Sequence, residues 1–237
     1  MKISEKFTKF LYSTVVVLLS LALVIKLAGP RILKMYITYG IGDCAAIPIL
    51  CLQPESTILT PEINSTLELI PQTFPKMSVS VPRGFALVQE LIKKTYYKRK
   101  NLNDRAVIYL LIQGPEAFIK LYPDVKKQGI TDNREFIRRL MYANLDKIDG
   151  LTDAFFIVMK SIFIPDIGNQ ETAKMIRFKI GNKDGYINYT TSNTDNYYDC
   201  NVLDNQGNYF KVYIKDIRGR LDLNDVFSII STLKPVN

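Results

Sequence analysis

Ser231-Thr232-Leu233-Lys234 has the Ser-x-x-Lys spacing that can pair a nucleophile with a basic amine. It stands at the frayed end of the last predicted helix, and the companion motifs of that enzyme class are missing, so a solvated helix end is the stronger reading. Gly40-Ile41-Gly42-Asp43-Cys44-Ala45 matches a dinucleotide fingerprint on paper. Pro48 interrupts the helix that such a motif must open, and no βαβ unit follows, so a turn is predicted instead. Asp195, Asp199 and Asp204, with Asn193, Asn196 and Asn205, could offer oxygen ligands to calcium. Their spacing is not that of an EF-hand, and ordinary turn chemistry accounts for them.

The chain contains no histidine. That omission removes the usual proton shuttle, the Ser-His and Cys-His nucleophile pairs, and imidazole metal sites. Carboxylate, lysine and tyrosine chemistry remain open. No catalytic residue, cofactor or metal ligand is assigned, and an enzyme is the less favoured expectation.

Two further groupings could act without catalysing. Cys44 and Cys51 are separated by six residues in a Gly- and Pro-containing segment. A local disulfide there would stabilise the fold by roughly 2.5 kcal/mol in the chain-entropy model, and two buried thiols are the alternative. Reactive redox pairs are usually closer, as in Cys-x-x-Cys. Cys200 alternates with Tyr198 and Val202 and reads as a core residue. Lys93, Lys94, Lys98, Arg99, Lys100 and Arg105, interleaved with Tyr96 and Tyr97, form the strongest basic cluster outside the N-terminus. A solvated charged face is its plainest reading, with anionic lipid or an acidic partner next and nucleic acid not expected.

The elements that must position these groups begin with a membrane run. Phe10–Ile25 carries no charge, and with Lys26, Leu27 and Ala28 it makes a stretch that spans roughly 28 Å as a helix. Lys2, Lys6 and Lys9 precede it against Glu5 alone, which keeps the N-terminus cytoplasmic under the positive-inside tendency; Arg31 and Lys34 beyond the run reduce the asymmetry. No small-x-small cleavage pattern follows cleanly, so an uncleaved anchor is favoured over a signal peptide. The formal net charge of +8 is concentrated here, because residues 1–34 hold six basic residues and one acid. The organisation read from the chain is a cytoplasmic stub over 1–9, an anchor over 10–28, a proline-rich connector over 29–72, and an extracytoplasmic domain over 73–237.

Within that domain, Met77, Val79 and Val81 alternate with polar neighbours as a half-buried strand, ended by Pro82-Arg83-Gly84. Residues 85–97 fit strand or helix. Residues 107–112 are apolar on both faces and predict a central strand. Phe118, Leu121, Tyr122 and Val125 share a helical face that Pro123 must break. Asp132 and Glu135 have capping-box spacing ahead of a helix whose stripe runs from Phe136 through Leu145 to Ile148. Phe155 to Phe163 fits a helix or a buried strand. From Ala173 the period is two, with turns at Asn182-Lys183-Asp184-Gly185 and Asp204-Asn205-Gln206-Gly207, and a final helix buries Val226, Phe227, Ile229, Ile230 and Leu233. The fold class predicted is α+β, an antiparallel sheet flanked by helices, with one N-terminal transmembrane helix.

An early "SVSVPRGF" strand pair, late antiparallel hairpins and a terminal "LDLNDVFSIISTLKP" helix together resemble the PsbP-like family, which includes DcrB-type envelope proteins. The likeness covers roughly residues 73–235 as an order of elements, and the helical middle over 115–163 departs from the family pattern. It implies a helix-flanked antiparallel sheet and an accessory or binding role, with no catalytic residue to carry over. The function expected is therefore a membrane-anchored extracytoplasmic module that binds a protein partner or assists assembly. The alternatives are a histidine-free hydrolase or transferase using carboxylates on the sheet, and a small-ligand or lipid-binding domain.

Overall fold

The computed structural model describes residues 5–74, 76–91, 94–99, 107–165, 172–191, 195–217 and 221–236, with the backbone alone for 5–16, 21–25, 27, 86–91, 94–99 and 217. In chain order the elements are α1 (Glu5–Gly40), β1 (Ile58–Leu59), β2 (Leu69–Thr73), β3 (Met77–Pro82), β4 (Phe85–Leu91), β5 (Lys94–Arg99), β6 (Val107–Gln113), α2 (Ala117–Leu121), α3 (Asn133–Tyr142), α4 (Leu151–Phe163), β7 (Lys174–Ile180), β8 (Lys183–Thr191), β9 (Asp195–Asp204), β10 (Tyr209–Ile217), α5 (Leu223–Ser231) and β11 (Lys234–Pro235). Short 3-10 turns fall at Pro48–Leu50, Pro123–Gln128 and Leu145–Lys147. The α+β class read from the sequence holds.

Eight strands form one sheet in the order β1-β7-β8-β9-β10-β6-β5-β4, and β11-β3-β2 form a second, antiparallel one. Alternation along β10 sends Phe210, Val212 and Ile214 to one face, where they join Ile108, Leu110, Cys200 and Val202. α5 covers that face with Val226, Phe227, Ile229 and Ile230, and the small sheet adds Met77, Val79 and Val81. The opposite face lies under α2, α3 and α4, whose Phe118, Phe136, Leu140, Phe156 and Ile157 enclose Leu203 and Tyr209 from the sheet. α5 is started by a complete capping box: Asp222 accepts from the Asp225 amide at 2.9 Å, and Asp225 accepts from the Asp222 amide at 3.0 Å.

Several local expectations change. The sheet is mixed, not wholly antiparallel, because β1 joins β7 in parallel; a two-residue strand arriving from a long connection is not held to hairpin geometry. The "SVSVPRGF" segment is no hairpin. Gly84, at φ +95°, turns the chain from β3 in the small sheet to β4 at the edge of the large one. Residues 85–97 supply two strands, β4 and β5, with Ile92 and Lys93 outside the described residues. Residues 151–163 are helical. Gly185 lies inside β8, where a Cβ would collide with the Asn201 carbonyl, and the turn sits earlier, at Gly181 with φ +57°. α3 stops at Tyr142, since Ala143 is extended and the Asn144 carboxamide caps the Asp146 amide at 2.8 Å, so Leu145 reaches the core from a separate turn.

Residues 29–72, read as a connector, contribute to both layers. α1 passes through Pro30 to Gly40, and its Leu33 and Ile37 pack into the helical layer. Ile49 and Leu50 are buried there as well, and β2 pairs with β3 from Ser78 to Pro82. Tertiary burial thus holds a helix that proline alone would discourage. Among the described residues no helix is long and apolar enough to cross a membrane; most side chains of the run 10–28 lie outside the described residues, while its backbone is helical throughout.

Candidate functional site

The helix-covered face of the sheet carries a buried polar row. Asp199 on β9 is fully buried, and Lys211 on β10 places Nζ 2.6 Å from Oδ1 and 2.7 Å from Oδ2, with good hydrogen-bond geometry to Oδ2. The same ammonium donates to the Phe163 carbonyl at the end of α4 (3.1 Å) and to Asn201 Oδ1 (3.1 Å). Tyr209 donates its hydroxyl to Asn201 Oδ1 at 2.7 Å. Burial raises the Asp199 carboxyl despite Lys211, and it pushes the Tyr209 hydroxyl and the Cys200 thiol well up. Asn188, directly across from Asp199 on β8, is buried, and among the described residues neither of its amide atoms is bonded.

Beside the row is a cavity of about 300 Å³ walled by Tyr109, Leu111, Phe118, Ile162 and Phe163 and floored by Tyr209 and Lys211. The chemistry on offer is limited, since all three ammonium protons of Lys211 have protein acceptors and Tyr209 donates inward. This arrangement can hold an apolar group over a fixed polar floor. Among the described residues it presents no free nucleophile or base.

A second buried cation lies in α4. Lys160 donates to the carbonyls of Leu52 (2.6 Å), Met141 (3.0 Å) and Ala143 (2.8 Å), and burial pushes its ammonium down to about 7. Met141 and Ala143 lie at the C-terminal end of α3, where unpaired carbonyls carry the negative end of the helix dipole. Lys160 therefore both ends α3 and bolts the chain after Cys51 to it. Cys44 and Cys51 are joined as a disulfide with Cα atoms 5.6 Å apart, next to Asp146. Asn144 Nδ2 donates to the Cys51 carbonyl at 3.1 Å, and Gln53 Nε2 to the Tyr142 carbonyl at 2.8 Å.

On the outer side of the helical layer a groove of about 400 Å³ runs between the Pro123–Gln128 turn and α4. Tyr122, Phe155 and Phe156 line it, and Leu121 and Leu151 stand 62% and 77% exposed at its edges. Among the described residues a single carboxylate, Asp124, lines the groove. Another depression near Arg134 likewise holds one carboxylate, Asp184, which is paired with Arg134.

The groupings singled out in the sequence disperse. Lys94, Lys98 and Arg99 fall on β5, second from the sheet edge, while Lys93, Lys100 and Arg105 lie outside the described residues. The Ser231 hydroxyl donates to the Ser228 carbonyl at 2.7 Å, and Lys234 belongs to β11. After Gly42, the Asp43 carboxylate accepts from the amides of Ala45 (3.0 Å) and Ala46 (2.8 Å), which makes the segment a turn. Asp195 and Asp204 sit at opposite ends of β9, roughly 30 Å apart along an extended strand, and Asn193 lies outside the described residues. Asp204 serves its own turn, accepting from the amides of Gln206 and Asn208, both at 2.9 Å. Sequence reasoning missed Lys160 and Lys211. The first was visible as the one charge within the apolar run Ala154–Ile164; the second, alternating with Tyr209 and Tyr213, looked like a residue of a solvent face.

The fold and these sites define an α+β domain with separate cores on the two faces of one mixed sheet. No protein family matches the chain, and no curated protein matches it in sequence. A crystal structure from Bacteroides thetaiotaomicron VPI-5482 aligns with 68% of this chain at a TM-score of 0.34 and 10% identity, a likeness too slight to assign fold or function; the aligned region spans 45% of that protein's length.

Proposed function

We propose that the chain is a membrane-anchored binding module whose outer domain, on the extracytoplasmic side, holds a protein partner at its helical layer. The observation that carries this reading is the aromatic-floored groove between the Pro123–Gln128 turn and α4, with Leu121 and Leu151 exposed at its edges. Exposed leucines around an aromatic floor suit the apolar anchor side chain of a partner. Three further features support the reading. The apolar run 10–28 continues without a break into the part of α1 that packs on the domain, the Cys44–Cys51 bridge suits an oxidising compartment, and the resemblance of the sequence to the PsbP-like family in its order of elements implies an accessory role.

The test is capture from mildly solubilised native membranes with three baits: the full chain, a chain lacking residues 1–28, and full-length Leu151→Glu. Truncation stops at residue 28 because Leu33 and Ile37 belong to the core. The same partner recovered with the first two baits and lost with Leu151→Glu, at an unchanged Tm, supports the reading. Equal recovery with Leu151→Glu, or none with any bait, overturns it. The cavity over Tyr209 and Lys211 favours a second reading, a small apolar ligand between sheet and helices; thermal shifts across a lipid and metabolite panel test it, and uniformly flat responses end it.

A further inference from the structure

Three side chains from separate segments converge beside the end of α1. Cys44 lies in the turn after α1, Cys51 closes the Pro48–Leu50 turn, and Asp146 sits in the Leu145–Lys147 turn between α3 and α4. Asp146 Oδ2 is 3.4 Å from Cys51 Sγ and 3.9 Å from Cys44 Sγ, and the three atoms lie within 4.8 Å of one another. Asp146 Oδ1 accepts from Lys34 Nζ at 2.5 Å. We propose that, once the Cys44–Cys51 bridge is reduced, Cys44, Cys51 and Asp146 form a site for a thiophilic divalent cation such as Zn²⁺, with one coordination position left open.

The geometry fits such an ion. Zinc–sulfur and zinc–oxygen bonds of about 2.3 and 2.0 Å in a tetrahedron place sulfur and oxygen ligands about 3.5 Å apart, close to both Asp146–sulfur distances. Two thiolates on one ion are about 3.8 Å apart, a separation that side-chain rotation reaches from Cα atoms 5.6 Å apart. Charge also balances, because two thiolates and a carboxylate face the dication and the Lys34 ammonium. Thiolate ligands select zinc over magnesium or calcium.

The walls of the site are held without the bridge. Lys160 ties the Leu52 carbonyl to those of Met141 and Ala143, and Asn144 binds both the Cys51 carbonyl and the Asp146 amide. Lys147 Nζ adds a bond to Gln53 Oε1 at 3.0 Å. Reduction would therefore free the sulfurs while these bonds keep the Cys51 and Asp146 backbones in place, and Cys44 stays in the turn that the Ile47 amide closes onto the Asp43 carbonyl at 2.9 Å. A dithiol reductant supplies the two electrons and two protons that convert the bridge to two thiols, itself closing to a disulfide; the metal then displaces the two thiol protons. A small-molecule disulfide reverses the change: it takes two electrons from the two thiolates, which re-form the bridge and release the ion, and with two protons from solvent it becomes two thiols.

The experiment uses the untagged full chain in detergent micelles, reduced with dithiothreitol, freed of reductant under nitrogen and titrated with Co²⁺ and then Zn²⁺. Histidine is absent from the chain, so no imidazole of the protein competes. Thiolate-to-cobalt charge-transfer absorption saturating at one equivalent and displaced by Zn²⁺ is expected from the reduced chain and not from the oxidised one. Cys44→Ser should abolish it. Asp146→Asn, an exposed substitution that leaves both thiols, should weaken Zn²⁺ binding about tenfold or more, while Glu62→Gln, exposed and outside both the groove and the cavity, leaves it unchanged. No charge-transfer band in the reduced chain, a band that survives Cys44→Ser through the buried Cys200, or an affinity indifferent to Asp146→Asn overturns the proposal. The readout is metal uptake by the purified protein, so failure here and failure to recover a partner are separate results.

Discussion

On the α5 face of the sheet, Ile108, Leu110, Phe210, Val212 and Ile214 meet Val226, Phe227, Ile229 and Ile230, apolar against apolar. Polar groups on this side serve the ends of the helix: Asp216 Oδ2 accepts from the Leu221 amide at 2.6 Å, and Lys183 donates to the Ser231 carbonyl at 2.9 Å. The opposite face encloses Asp199, Lys211, Asn201 and Lys160 within a layer rich in phenylalanine. One face is fixed by volume and shape, and many apolar combinations would fill it. The other is fixed by partners, since each buried charge is tolerated only in the arrangement that satisfies it. The candidate sites, the cavity, the groove and the Cys44–Cys51 bridge all lie on the second side.

The largest expected effect breaks the polar row. Lys211→Met leaves the Asp199 carboxylate buried without its cation and should cost about 3–5 kcal/mol in urea unfolding. The double variant Asp199→Leu with Lys211→Met should recover most of that loss, because an apolar pair of similar volume carries no desolvation penalty. A single-variant loss no larger than that of an exposed ion pair would show that the row is wet, and the contrast between the faces would collapse.

A smaller effect concerns Lys160. Its folded value near 7 lies below the ordinary lysine value of 10.5, so between them the unfolded chain binds a proton that the folded chain releases. Stability should therefore rise as pH increases from about 7 to about 9, by at most roughly 2 kcal/mol, since the three carbonyls oppose the push of burial. It should be lost again as pH falls back through the folded value. Urea midpoints across that range measure the slope, and Lys160→Met should flatten it. A slope that persists in the variant assigns the linkage to another group.

How much of this was legible in the sequence differs between the faces in the same way. Period-two runs such as Phe210, Val212 and Ile214, and the terminal stripe from Val226 to Leu233, announced strands, helix and apolar core, because hydrophobic periodicity is a local signal. The Cys44 and Cys51 spacing allowed either a local bridge or two buried thiols. The polar row was hidden because its members are far apart in sequence and meet only through β-pairing and the covering layer: Phe163, Asp199 and Lys211 come from α4, β9 and β10. Residues 29–40 read as a connector because Pro30 is a local discouragement, whereas Leu33 and Ile37 are held by contacts that no local pattern contains. Gly185 misled for a related reason, since its need is set by the Asn201 backbone on the neighbouring strand.

The smallest effect separates the helices that start on the two sides. α5 opens with a reciprocal capping box, and Ser65 donates a further bond to Asp225 at 2.6 Å. α3 has half of that device: Asp132 accepts from the Glu135 amide at 2.8 Å, but Arg138 and Arg139 engage the Glu135 carboxylate, lowering its pKa and holding it in salt bridges. Asp222→Ala should therefore cost about 1 kcal/mol and Asp132→Ala rather less, about 0.5 kcal/mol, both read as shifts in urea midpoint at constant slope. The difference is small because each substitution removes a cap and leaves its helix packed. Reversal of the order would mean that α3, under the polar layer, depends on its first turn more than α5 does, and that the apolar face anchors its helix by burial alone.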